Sequence, residues 1–168
     1  MKILFLDIDG VLNCTEVNDK KPFADERMYG LNPELVKNLK KVVDATGCKI
    51  VVSSSWRHIN DYAPFRPKCR WRGVLANMLG YEPLGLFIGD TPKSSSGKRG
   101  EEILEWIAGA VDYYTGLPLM SSPHRICVVD DETSDITPYI DEKYVVKTDM
   151  RNGLTESDAD RIIGILNG

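Results

Sequence analysis

Two groups of acidic side chains in this 168-residue sequence have spacing that could do chemistry. Asp7 and Asp9 flank a single residue and run into Gly10. Asp130 and Asp131 are adjacent, with Asp135 four residues beyond Asp131. Between the groups lie Ser53-Ser54-Ser55 and the basic pair Lys98-Arg99. Carboxylates crowded into one pocket raise one another's pKa unless a cation neutralises them. Hard oxygen ligands without histidine or thiolate favour magnesium, which commonly takes one or two carboxylates plus waters and a substrate phosphate. A hydroxyl at a strand end, beside backbone amides entering a turn or helix, can hold phosphate oxygens. Lys98 or Arg99 at a helix start can add positive charge against the same group. Such a set suits phosphoryl transfer, which rests on positioning and charge neutralisation.

The elements that must position these groups are short apolar runs. Residues 2–6 (KILFL) stop at Asp7, 49–52 (KIVV) at Ser53, and 125–129 (RICVV) at Asp130. Runs of this kind suit strands buried on both faces of a parallel sheet. In an open α/β sheet the carboxyl ends of the strands share one edge, where ligands bind near the switch in strand order. Asn32-Pro33 marks a helix start, Leu35, Leu39, Val42 and Val43 recur at helical spacing, and Gly47 marks the stop. A short helix is expected over 72–79, ended by Gly80, and a third strand over 84–88. A helix from about Gly100 should turn Ile103, Leu104, Ile107 and Ala108 inward. A fifth strand is expected over 144–146, then a closing helix over 156–166 with Ile162, Ile163 and Leu166 inward.

Residues 5–12 (FLDIDGVL) resemble the first motif of the haloacid dehalogenase superfamily, an apolar run followed by D-x-D-G-x-[VL]. Residues 50–54 resemble its second motif, Lys98 or Arg99 stands where its third places a basic residue, and Val128-Val129-Asp130-Asp131 with Asp135 resembles its acidic fourth. The first and fourth patterns are specific; serines at strand ends and basic residues at helix starts are commonplace alone and gain meaning from their order here. The resemblance implies a Rossmannoid three-layer α/β/α sandwich with a mainly parallel sheet. It implies a phosphatase in which Asp7 is the nucleophile that forms an aspartyl-phosphate and Asp9 is the general acid and base. It further implies Mg2+ bound by the Asp7 carboxylate, the Asp9 carbonyl and Asp131, with Asp130 and Asp135 supporting. Ser54, or its neighbour Ser53 or Ser55, would hold phosphate together with Lys98 or Arg99. The absence of a large insertion between the first two motifs resembles capless members, with a small insertion at about 58–97. Ser54-Ser55-Trp56-Arg57, and Gly153-Leu154-Thr155 with Asp158, resemble the phosphatase-type domain of multidomain RNA-repair proteins. In that reading Trp56 and Arg57 are candidate substrate contacts, although Trp56 also fits a core aromatic.

Composition sets the outer bounds. The length fits a single domain over 1–168, and 42% apolar with 27% charged residues is ordinary for a globular protein. A formal charge of −4 gives no overall attraction to nucleic acid or anionic membranes. No apolar run reaches spanning length, and the start lacks a secretory pattern, so a cytoplasmic location is expected. Cys14, Cys48, Cys69 and Cys127 lack paired or metal-ligand spacing, and His58 and His124 have no partner pattern. Residues 64–72 (PFRPKCRWR) alternate basic with apolar side chains, which fits either a patch tracking a nucleic-acid backbone or a solvated stretch packed on the domain. The expected partner is a phosphorylated small molecule or nucleic-acid end, with no membrane and no obligate protein partner. A phosphate- or nucleic-acid-binding module without turnover, and a phosphotransferase or mutase, are the alternatives.

Overall fold

Five strands form one sheet in the computed structural model, which describes residues 1–14, 30–58, 71–109 and 125–168. They are β1 (Lys2–Leu6), β2 (Lys49–Val52), β3 (Phe87–Asp90), β4 (Arg125–Asp130) and β5 (Val145–Lys147), in the order β3-β2-β1-β4-β5. Every pairing is parallel. The apolar runs explain this, because alternate residues serve opposite layers. Leu4, Leu6, Ile50, Val52, Cys127 and Val129 enter one buried layer. Ile3, Phe5, Val51 and Val128 enter the other.

The first layer is covered by α1 (Pro33–Thr46), α2 (Trp71–Leu79) and α5 (Glu156–Asn167). Asn32 caps α1 by accepting from the Glu34 amide at 2.9 Å, and the amide of Gly47 closes it on Val43. The opposite layer is covered by α4 (Arg99–Gly109) together with Ile136 and Ile140 from the β4–β5 connection. The chain runs outward from β1 to β2 and β3, then crosses to β4 and β5 on the other side. Right-handed crossovers in opposite directions put their helices on opposite faces. The switch in direction falls between β1 and β4.

Two sequence expectations are corrected here. The third strand begins at Phe87, because residues 83–86 form a single helical turn, α3 (Pro83–Leu86), started by Pro83 and closed by the Phe87 amide on the Pro83 carbonyl. Leu84 is consequently 96% exposed. On α4, Ile103 is buried with Trp106 and Ile107 packed beside it, while Leu104 and Ala108 are exposed. The helix is rotated so that Glu102 also turns inward, toward two arginines described below.

Of the expected insertion, residues 71–97 supply α2, α3 and β3. Residues 59–70, which include Phe65, Arg66, Lys68, Cys69 and Arg70, lie outside the described residues, as does His124. Trp71 is fully buried in the first layer, so this aromatic packs inward, and Arg72 pairs with Asp90 at 2.7 Å. Cys14, Cys48 and Cys127 are buried free thiols. Among the described residues no helix is long and apolar enough to cross a membrane.

Candidate active site

The sheet register sets the strand ends side by side. Leu6 pairs with both Val52 and Val129, so Asp7, Ser53 and Asp130 stand side by side at the strand ends. Ladder-like bonds continue one step further, from the Asp7 amide to the Val129 carbonyl (3.1 Å) and from the Ser53 amide to the Leu6 carbonyl (2.9 Å). This is the carboxyl edge at the switch point, where open α/β sheets place ligands.

Asp7, Asp130 and Asp131 converge there, each with one carboxylate oxygen within 4.8 Å of the others. Asp7 and Asp130 are 8% and 4% exposed, and Asp131 is partly buried. The approach of Asp131 depends on Gly10. At φ +70° this residue passes so close that an added Cβ would lie 2.5 Å from the Asp131 Cγ. The Thr148 hydroxyl pins that turn by donating to the Gly10 carbonyl at 2.9 Å.

Burial pushes the Asp7 carboxyl above the usual carboxylate range, while bonds from the Ser54 hydroxyl and the Ile8 amide and the charge of Arg99 pull it back. Asp130 is pushed up by burial and next by the charge of Asp7. Asp131 is also raised, with burial again the largest cause. Three carboxylates are thus held where their charges cost most.

The Arg99 Nε approaches Asp130 at 3.9 Å, and its Nη1 lies 3.3 Å from Glu102. Lys98 instead is exposed and places its ammonium over the Tyr139 ring. The α4 start is fixed by Asp135, whose carboxylate accepts from the Arg99 amide at 2.8 Å and whose carbonyl accepts from the Gly100 amide at 3.2 Å. A Cβ on Gly100 would collide with Tyr139 and with that carbonyl. Asp135 therefore braces the helix that carries Arg99.

Ser54 is buried beside Asp7, and its hydroxyl oxygen accepts from the Trp56 amide at 3.3 Å. Ser53 is buried as well, its hydroxyl without a hydrogen-bond partner among the described residues, and Ser55 is exposed. Asp9 lies exposed, outside the three-carboxylate cluster. Its carboxylate accepts from the Trp56 indole N–H (3.1 and 3.0 Å to its two oxygens) and from the Asn13 amide (2.8 Å).

Arg57 stands as a strut beneath the serine turn: its side chain is 6% exposed and is engaged by Glu102 at 2.7 Å and by the Ser54 carbonyl at 3.2 Å. Sequence reasoning also passes over Glu102 and Asn13. The available signals are slight: Glu102 follows Arg99 by three residues on one helix, and Asn13 follows Asp9 by four.

The model of a family described as the HAD domain in Swiss Army Knife RNA repair proteins matches residues 3–159. The chain belongs to this family. No curated protein and no solved structure matches it significantly. Membership gives this HAD domain its general chemistry, phosphoryl transfer, and HAD domains typically use magnesium. The donor set fits that ion, since three carboxylates meet in one place without histidine or thiolate among them.

Proposed function

We propose that this HAD domain is a magnesium-dependent phosphomonoester hydrolase that works through an aspartyl-phosphate on Asp7. The observation carrying the reading is the convergence of Asp7, Asp130 and Asp131 within 4.8 Å at the sheet's switch point. In this reading the ligands are the Asp7 carboxylate, the Asp9 backbone carbonyl and Asp131, with Asp130 at their side. When bound, the ion supplies positive charge that keeps these carboxylates ionised and neutralises phosphate oxygens.

An Asp7 oxygen attacks phosphorus in line with the leaving oxygen. The bond from phosphorus to that oxygen breaks, and the Asp9 carboxyl gives it a proton. Water then attacks the phosphorus of the aspartyl-phosphate and gives a proton to Asp9. The bond between Asp7 and phosphorus breaks, inorganic phosphate leaves, and both aspartates return to their starting states. Arg99 and the Ser54 hydroxyl hold the phosphate oxygens throughout.

The substrate class in this reading is the terminal phosphate of a nucleotide or polynucleotide. The RNA-repair family supports it, and so does the lack of a large insertion between the first two motifs, which in capless members leaves room for a bulky leaving group. The test is phosphate release from an aryl phosphate and from end-phosphorylated oligonucleotides, with and without magnesium. Metal-dependent release should fall by roughly 10⁴-fold or more in Asp7→Asn, as expected for loss of a nucleophile. Release that survives Asp7→Asn would end the aspartyl-phosphate mechanism. Turnover confined to small sugar phosphates would end the substrate assignment. Release of inorganic phosphate, as opposed to its delivery to a second substrate, separates a hydrolase from a mutase.

A further inference from the structure

The turn after β2 reaches across to Asp9. Trp56 directs its indole N–H at both oxygens of that carboxylate, at 3.1 and 3.0 Å, and Asn13 donates to one of them at 2.8 Å. Asn13 is itself held, because its side-chain oxygen accepts from the Gly10 amide at 3.1 Å. The indole is fixed from behind. Trp56 meets Trp71 edge to face at 5.5 Å, and Trp71, fully buried, meets Phe87 at 6.0 Å in the same manner. The Trp56 amide is bound to the Ser54 hydroxyl oxygen at 3.3 Å, which ties the indole to the serine beside Asp7. A carboxylate side chain has two free torsions, and an exposed one samples several rotamers. Here two donors from different segments select one.

We infer that Trp56 is a positioning residue for Asp9, holding its carboxyl at the leaving-group side of the Asp7 phosphate. The inference rests on the hydrolase reading above. Packing alone does not account for the arrangement, since a phenylalanine would fill the same place against Trp71 without an N–H. A misplaced acid matters most for poor leaving groups. An alkoxide needs its proton as the bond to phosphorus breaks, whereas a nitrophenolate departs with little help.

Trp56→Phe tests this in the full chain through the first-turnover burst of leaving group, which later hydrolysis of the phosphoenzyme does not mask. With a nucleoside monophosphate the rate should fall roughly ten- to a hundredfold, and with nitrophenyl phosphate by less than about threefold. Equal losses on both substrates, or none on either, would overturn the role. A second readout is independent of turnover. The indole N–H proton signal of Trp56, assigned by its disappearance in Trp56→Phe, should shift and exchange faster with solvent in Asp9→Ala. An unchanged signal would show that no tether exists in solution and overturn the inference even in an active enzyme. An intact tether in a chain that hydrolyses neither substrate would instead overturn the hydrolase reading, and with it the tether's catalytic purpose.

Discussion

Two groups of buried charge meet at the carboxyl edge of the sheet, and they are built on opposite terms. Arg57, Glu102 and Arg99 form a set of opposite charges in contact, although the buried Arg57 Nε has no hydrogen-bond partner among the described residues. One Glu102 oxygen accepts from both arginines, at 2.7 and 3.3 Å, and the other accepts from the Ser94 amide at 3.2 Å. Asp7, Asp130 and Asp131 form a set of like charges. One oxygen from each of the three carboxylates lies within 4.8 Å of the others, and among the described residues Arg99 makes its ion-pair contact in this group with Asp130, at 3.9 Å. Neighbouring carboxylates that share a buried site resist ionising together, whereas a buried pair of opposite charges resists losing one partner. The first group therefore holds shape, and the second holds a demand for positive charge. Arg99 belongs to both, so the strut also sets where the Arg99 guanidinium stands.

Breaking the charge-paired group should have the larger consequence. Glu102→Ala leaves two guanidinium groups beneath the serine turn without their shared carboxylate. Loss of one partner from a buried pair typically costs about 3–5 kcal/mol. Urea unfolding of Glu102→Ala should show a loss of that order, with a lower midpoint and an unchanged slope. A loss below about 1 kcal/mol, the range of exposed pairs, would mean that water reaches this group and that it is no strut.

The like-charged group should respond with the opposite sign. Asp130→Asn removes a carboxylate whose pKa burial and Asp7 push up to about 8. For an acid raised on folding, the native state binds the proton more tightly. Its contribution to stability is complete below the ordinary carboxylate range and is lost as pH rises through about 8. Without metal, the unmodified protein should therefore lose thermal stability between mildly acidic and mildly alkaline pH, and Asp130→Asn should flatten that slope. At pH 8 the variant should melt higher, by about 2–4 °C for each kcal/mol recovered. Magnesium should raise the melting temperature of the unmodified protein, by about 2.7 kcal/mol in stability at a hundred times its dissociation constant. It should do less for the variant, which keeps the three ligands but has lost one negative charge beside them. A variant that melts lower at pH 8, or responds equally to magnesium, would remove the contrast between the two groups.

The two groups also differ in how far the sequence announces them. Asp7, Asp9, Asp130 and Asp131 are legible because an apolar run ending in acids is chemically abrupt, and the parallel sheet then brings the run ends together. The same abruptness locates β1, β2 and β4. It fails at β3, where Leu84 and Leu86 are apolar in either a strand or a helical turn, and Pro83 decides for the turn. The strut is illegible for a different reason. Glu102 in a helix of mixed polarity reads as a solvated acid, and only the rotation of α4, set by packing of Ile103 and Trp106 against the sheet, buries it. The bond from Trp56 to Asp9 joins residues 47 apart in the chain, and no local pattern encodes it.

The same rotation separates Lys98 from Arg99, which the sequence leaves equivalent. Neighbouring residues at a helix start point roughly 100° apart, so only one of them can face the carboxylates. Asp135 holds the Arg99 amide and carbonyl-bonds the next residue, which fixes Arg99 toward Asp130 and leaves Lys98 over Tyr139. Arg99→Ala should lower kcat by about 10²–10³, the scale for losing one donor to transferring charge. Lys98→Ala should alter it by less than about twofold, since an exposed cation resting on a ring contributes at most about 1 kcal/mol and none of it at the phosphate. Steady-state rates at saturating magnesium measure both. A large loss in Lys98→Ala with a small one in Arg99→Ala would mean that α4 turns on binding substrate, and that the strut joining Arg57 to Arg99 comes apart in the working enzyme.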